Sequence, residues 1–263
     1  MNLEHLLGVT LIQILLGFCR TSGRVVAAPV LQSRSIPVPA KIVIAFALAL
    51  VIAPFIKVQA GFADYNIGVI VFILLQEVLI GLLIGFVASF TFYAVQLSGY
   101  FFDVSLGFGV VNILDPNSGT ELPILGQLNY LIAIIVFLAI NAHHALILAL
   151  IKSYDLVGPG MLVFKKESIG WLLRLFSGMF LLGFRIGLPI VGAIFLADVA
   201  LGIIAKLLPQ INVFMIGFPV KIILGLIMLI LFLPAYIMVL ETLFANSGET
   251  FRAIRGLLLQ LHG

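Results

Sequence analysis

The sequence predicts an all-α membrane protein built from about six long hydrophobic helices. Three observations carry that reading. Hydrophobic residues make up 63% of the chain and charged residues only 10%, against about 25% charged in a soluble domain. Mean hydropathy is +1.28. The apolar residues lie in long unbroken runs rather than ten-residue alternations, which selects helices over a membrane barrel.

Six apolar regions follow in order. The first covers about 5–28. Leu6–Cys19 has the length of a signal-peptide core, but Glu4 and no Lys or Arg precedes it, and Arg20 and Arg24 follow. That charge order is wrong for a cleaved signal. Leu16-Gly-Phe-Cys19 is only loosely like a lipid-attachment box, so a retained membrane helix is expected. Pro29, Pro37 and Pro39 with Arg34 and Lys41 form a stiff basic turn into the second region, 38–58. The third (67–100), fifth (171–207) and sixth (211–240) run to 30 residues or more. A helix of 30 residues is about 45 Å long, against about 30 Å of hydrocarbon. Tilt, kinks or projection beyond the bilayer must absorb the excess, and Pro189, Pro219 and Pro234 are the candidate kinks. The fourth region is 124–151.

The connections differ. Residues 152–170 read as a polar hairpin with Lys152, Lys165, Lys166 and Gly158-Pro-Gly160. Leu208-Pro-Gln-Ile-Asn212 is tight enough to make a helical hairpin of the last two runs. Gly107 to Pro123 is the most irregular stretch, with three glycines, two prolines, Asp115, Glu121 and no basic residue. Such backbone survives near membrane depth only inside protein or beside a water-filled cavity. It is a candidate pore lining or plug, with an ordinary solvent loop as the alternative. After Leu240, Asn246-Ser-Gly-Glu249 has capping-box spacing. Phe251, Ile254, Leu258 and Leu261 then form one face of a short amphipathic helix, expected on the membrane surface or on a partner subunit.

Orientation does not follow from charge. With six spans, five basic residues fall on one side and seven on the other, which decides nothing under the positive-inside rule. The formal charge of +3 is spread thinly and gives no stripe for nucleic acid.

Glu77, Arg185, Asp198 and Lys221 lie within apolar runs. An intramembrane charge marks a functional site, unless it is a structural ion pair or sits outside lipid because the helix overshoots it; with runs this long, the latter two are favoured. Arg185 precedes Pro189 by four residues, beside a carbonyl the proline frees. The adjacent His143 and His144 point to different helix faces, so a polar helix end is expected rather than a metal site. Gly81-Leu-Leu-Ile-Gly85 and Gly183-Phe-Arg-Ile-Gly187 have the spacing for close helix packing in lipid. Phe101, Phe102 and Phe108 cluster at the entry to the glycine loop, as packing or as an apolar constriction. Walker A, GxSxG, HExxH and dinucleotide patterns are absent. No catalytic, cofactor or metal residue is assigned, and the single Cys19 forms no internal disulfide.

Three segments carry a family resemblance. Leu106-Gly-Phe-Gly-Val-Val-Asn-Ile-Leu-Asp-Pro-Asn-Ser-Gly119, Leu208-Pro-Gln-Ile-Asn-Val-Phe-Met-Ile-Gly-Phe-Pro-Val-Lys221 and Ala28-Pro-Val-Leu-Gln-Ser-Arg-Ser-Ile-Pro37 resemble the flagellar type III export-gate family FliR. The resemblance extends over nearly the whole chain. It implies a non-enzymatic subunit in the bacterial inner membrane, at the flagellar basal body. It implies one copy per complex, assembled with FliP-like and FliQ-like subunits and a further subunit of the FlhB type. Exported unfolded proteins would pass and lipid would surround it; no nucleic acid or cofactor is implied.

The implied organisation is a FliP-like part over 1–170 and a FliQ-like hairpin with its terminal amphipathic helix over 171–263. In the family the glycine loop plugs the channel together with a methionine gasket from FliP. That role falls here on Gly107, Phe108, Gly109, Val110, Val111, Asn112, Ile113, Leu114, Asp115, Pro116, Asn117, Ser118 and Gly119, within 107–122. The hairpin turn and subunit contact fall on Pro209, Gln210, Asn212, Phe214, Gly217, Phe218 and Pro219. The alternatives are a virulence-type export-gate subunit, a small-molecule secondary transporter using Glu77, Arg185 and Asp198, and a non-conducting scaffold.

Overall fold

A computed structural model of the chain describes residues 3–32, 36–58, 65–108, 123–210, 212–245 and 248–261. Among them the ordered elements are eight α-helices and one short 3-10 turn. In order they are α1 (Leu3–Ala27), α2 (Val38–Ile52) with the 3-10 turn Ala53–Phe55, α3 (Ile67–Leu106), α4 (Ile124–Ala139), α5 (Ala142–Leu156), α6 (Lys166–Leu207), α7 (Val213–Phe244) and α8 (Glu249–Leu261). The chain is an all-α membrane protein.

Among the described residues, four stretches are long and apolar enough to cross a membrane: Val38–Phe55, Ile67–Leu106, Lys166–Leu207 and Met215–Leu261. The bent pair α4–α5 makes a fifth if counted as one span. Six apolar regions were expected. α1 is not among the spans, and it carries Gln13, Arg20, Thr21 and Arg24. The single run expected over 124–151 is two helices, broken between Ala139 and Ala142. Asn141 causes the break: it sits in the left-handed region at φ 57, which asparagine tolerates better than most residues. The connection expected over 152–170 is shorter, because α5 continues to Leu156 and α6 begins at Lys166. α3 and α6 hold 40 and 42 residues, about 60 Å each and twice the hydrocarbon thickness. Pro189, Pro219 and Pro234 all lie inside helices that continue past them.

The described chain forms two compact units, one of residues 1–91, 141–176 and 244–263, the other of 92–140 and 177–243.

In the first unit, α1 crosses α3 at glycine. Backbone carbonyls of Arg20 and Arg24 lie against Gly81 and Gly85, and the carbonyl of Val78 lies against Gly23. One turn on, Ser89 Oγ donates to Ala27 O at 2.6 Å. Small residues at four-residue spacing let the backbones touch, as the Gly81–Gly85 pattern predicts. α1 meets α2 similarly: Gly17 faces Ala49 O, and Thr21 Oγ1 donates to Ala45 O at 3.0 Å.

The apolar face of α8 packs on its own chain. Ile254, Leu257, Leu258 and Leu261 are all buried, each contributing about 1.5–3 kcal/mol of burial. Trp171 lies against Gly256, Ser168 Oγ donates to Gln260 O, Val163 N donates to Leu261 O, and the hydroxyls of Thr91 and Thr250 are 2.8 Å apart. Asn246, read as its cap, lies outside the described residues.

In the second unit, Phe102, Leu106, Leu125, Ile190 and Ile194 form the core, with Phe108, Val191, Met228 and Leu229 against it. Gly183 faces Ala94 O, Gly187 faces Phe101, and Gly99 faces Gly126. Both glycine pairs read from the sequence therefore serve close packing.

Candidate functional site

The candidate loop begins where α3 stops, and the stop is chemically specified. Gly107 has φ +88, a conformation that glycine adopts at little cost. Its N–H donates to Val104 O at 3.1 Å, and Phe108 N–H donates to Asp103 O at 3.0 Å. These two bonds are the Schellman pattern of a helix C-terminus, with Phe108 as the hydrophobic residue that accompanies it. Phe108 packs against the core. Phe102 is buried, and Phe101 meets Phe184 edge to face at 6.0 Å. Packing is therefore the role these three phenylalanines show.

The loop ends at Pro123, and its return is tied to its start. Asp103, buried near the end of α3, accepts hydrogen bonds from Leu125 N–H through both carboxylate oxygens at 3.1 Å. Its Oδ2 also accepts from Gly126 N–H at 3.1 Å. The first amides of a helix have no partner within it. A carboxylate satisfies them and faces the positive end of the helix dipole. The N-cap residue Pro123 offers no side-chain bond of its own. Asp103 thus closes the neck of the loop with charge-assisted hydrogen bonds. Sequence reading missed this residue; its signal was an acid four residues before a helix-stopping glycine, at the end of an apolar run. Gly109, Val110, Val111, Asn112, Ile113, Leu114, Asp115, Pro116, Asn117, Ser118 and Gly119 lie outside the described residues.

The second candidate segment lies between the last two long helices. α6 ends at Leu207 and α7 begins at Val213, with Pro209 and Gln210 in the turn. Asn212 caps α7, its backbone oxygen accepting from Met215 N–H at 3.0 Å and its Oδ1 at 3.3 Å. Gly217 is buried with Leu201 against it. Lys221 pairs with Asp198, eleven residues after Gln210 and eleven before Pro209. The register is therefore symmetric about the turn. Pro219 is exposed inside α7, and the side chain of Phe214 lies outside the described residues. Phe218 reaches the loop: its ring lies against Gly107, where a β-carbon would stand 2.5 Å from Cε1. The structure thus joins the first residue of the candidate loop to the Gly217-Phe-Pro219 segment.

The charges within apolar runs resolve largely as ion pairs. Glu77 meets Arg20 through two bonds, Nε to Oε2 at 2.7 Å and Nη2 to Oε1 at 2.9 Å. Both side chains are fully buried. Arg20 also donates to Ser153 Oγ at 2.8 Å and Val157 O at 2.9 Å, and its guanidinium lies 3.7 Å from the Tyr154 ring centre. The sequence offered Arg20 only as a charge flanking the first run. Asp198 is neutralised by Lys221. Arg185 forms no ion pair among the described residues. It stands thirteen residues from Asp198 on α6, about 20 Å along the axis, so the two do not form one site. His143 and His144 both lie in the first turn of α5, with rings 4.2 Å apart. No group of three metal-ligating side chains occurs among the described residues.

Comparison with known proteins matches this arrangement to one family. Residues 11–247 match the family described as "Bacterial export proteins, family 1". The chain is 34% identical to the flagellar biosynthetic protein FliR of Bacillus subtilis, over 92% of this chain and 94% of that one. It is 27% identical to FliR of Escherichia coli, over 92% and 91% of the two chains. It is 25% identical to FliR of Aquifex aeolicus, over 92% and 93%. With the match running from α1 through α7, the chain belongs to the FliR family of bacterial export proteins.

Proposed function

We propose that this chain is a non-enzymatic subunit of the flagellar type III protein export gate in the bacterial inner membrane. The observation that carries this reading is the family match along nearly the full length of flagellar relatives. Their flagellar names favour that system over a virulence-type gate. The exposed hydrophobics support it: Phe195, Leu196, Ile203, Ile230, Leu231 and Met238 all point away from the chain's own core. Such surface belongs in lipid or against other subunits.

One copy assembles with FliP-like and FliQ-like subunits and a further subunit of the FlhB type. Residues 1–170 act as the FliP-like part and 171–263 as the FliQ-like hairpin with its terminal helix. Pro209, Gln210, Asn212, Phe214, Gly217, Phe218 and Pro219 contribute to subunit contact. The loop 107–122 plugs the channel at rest, and unfolded flagellar subunits pass when it moves. Two features support that role. The Asp103 neck holds both feet of the loop together, and Phe218 packs on its first residue. A neck held in this way keeps the end of α3 and the start of α4 in place.

The test is a deletion of 110–118 in cells that build the complex. The deletion should leave the assembly intact and make the membrane leak small solutes. An assembled complex that stays tight refutes the plug.

A further inference from the structure

Within the second unit, α7 turns one stripe of residues toward the end of α3. Phe218, Gly225 and Leu229 recur at a spacing that puts them on one helix face. Leu229 packs on the core that holds Phe102 and Leu106. Leu106 lies against Gly225, and the Phe218 ring lies against Gly107. The stripe therefore follows the end of α3 and finishes on the glycine that stops it.

These contacts differ in kind. Leu106 is fully buried, so its seat on Gly225 is core packing. Phe218 is 38% exposed and stands outside that core. Its neighbour Gly107 has φ +88, and the Gly107 N–H donates to Val104 O. Two contacts with α6 fix the ring from either side. Leu201 lies against Gly217, one residue earlier, and Asp198 pairs with Lys221, less than one turn later. Pro219 follows Phe218 directly and has no N–H, so the carbonyl of Met215 loses its helical donor. At Phe218 the start of α7 is thus tied to α6 on both sides and less tightly to its own helix.

We propose that Phe218 is a positioning residue: its ring carries the placement of α6 and α7 to Gly107 and fixes where the chain leaves α3. Asp103 does the corresponding work at the return, through the amides of Leu125 and Gly126. The two residues therefore set opposite ends of one connection by different chemistry, a packed ring and a carboxylate. The inference deepens the plug reading above and rests on it for one consequence, a membrane that stays tight at rest.

The test uses the full chain co-expressed with its FliP-like and FliQ-like partners. In the purified complex, Phe218→Ala should speed hydrogen exchange about tenfold at the amides of Gly107 and Phe108, the factor that losing a half-buried aromatic contact carries. The amides of Leu125 and Gly126 should keep their protection, and the native mass should show normal assembly. Phe218→Tyr, which keeps the ring, should exchange like the wild type. Unchanged exchange at Gly107 and Phe108 overturns the proposal. So does a rise spread evenly over α3, α4 and α7, or a failure of Phe218→Ala to assemble, since either makes the ring a general structural element. In cells, Phe218→Ala should leak small solutes, and combining it with the deletion of 110–118 should leak no more than the deletion alone. Additional leak in the combination overturns action through the loop. Faster exchange at Gly107 with a membrane that stays tight supports the positioning role and refutes the plug reading instead.

Discussion

Arg20 and Glu77 are the costliest pair of residues to disturb. Both are wholly buried, and Ser153, Tyr154 and Val157 complete the shell around the guanidinium. Removing one partner strands the other charge in a dry interior, which costs about 3–5 kcal/mol. Glu77→Gln should lower the thermal midpoint of the purified chain by that equivalent. The double change Arg20→Met with Glu77→Leu should recover much of it, since apolar replacement of a buried pair is often neutral. Equal loss in the single and double variants would mean that the pair does more than balance charge. Asp103 is the second such residue. Asp103→Asn keeps the shape but loses the charge that three amide contacts share. A cost of about 1–3 kcal/mol follows from weakening charged hydrogen bonds. Hydrogen exchange at Leu125 and Gly126 should then accelerate, while the amides of α1 stay as protected as before. Unchanged exchange there would remove Asp103 from the neck.

At the scale of elements, glycine decides how closely the helices approach. Gly81 and Gly85 meet the carbonyls of Arg20 and Arg24, and Gly23 meets that of Val78. A side chain at Gly81 has backbone in its way, which cannot rotate aside. Gly81→Leu should separate α1 from α3 and pull Arg20 from Glu77, so the chain loses its folded state in detergent. Gly178, which has open space around it, is the control: Gly178→Leu should be tolerated by the same chromatographic profile. If both variants behave alike, the crossing is not held by close packing. The α4–α5 bend shows the limit of hydropathy as a guide to elements. The run over 124–151 is apolar on both sides of Asn141, so hydropathy alone cannot register the break. Only the left-handed backbone at Asn141 divides it.

On the scale of the whole molecule, the surface is as telling as the core. α6 and α7 turn large apolar side chains outward along most of their length, and both exceed or match what the bilayer needs. Nothing soluble presents such area. The amphipathic α8 behaves oppositely: its apolar face is spent inside the chain. A helical moment marks a face that must be covered, without saying by what.

Composition and run length determined that the chain is all-helical and membrane-embedded, because lipid admits few other backbones. The glycine spacings and the motifs around Gly107 and Pro209 marked where helices pack, stop and turn, since those are local properties of the backbone. Tertiary structure alone decided the partners. It set Arg20, 57 residues away, against Glu77 and Asp103, through its carboxylate, on the start of α4. It laid Phe218 on Gly107 and left Arg185 without a counter-charge among the described residues. The reason is physical: a charge in an apolar run announces that it needs a partner, but only the folded chain brings one within hydrogen-bonding distance.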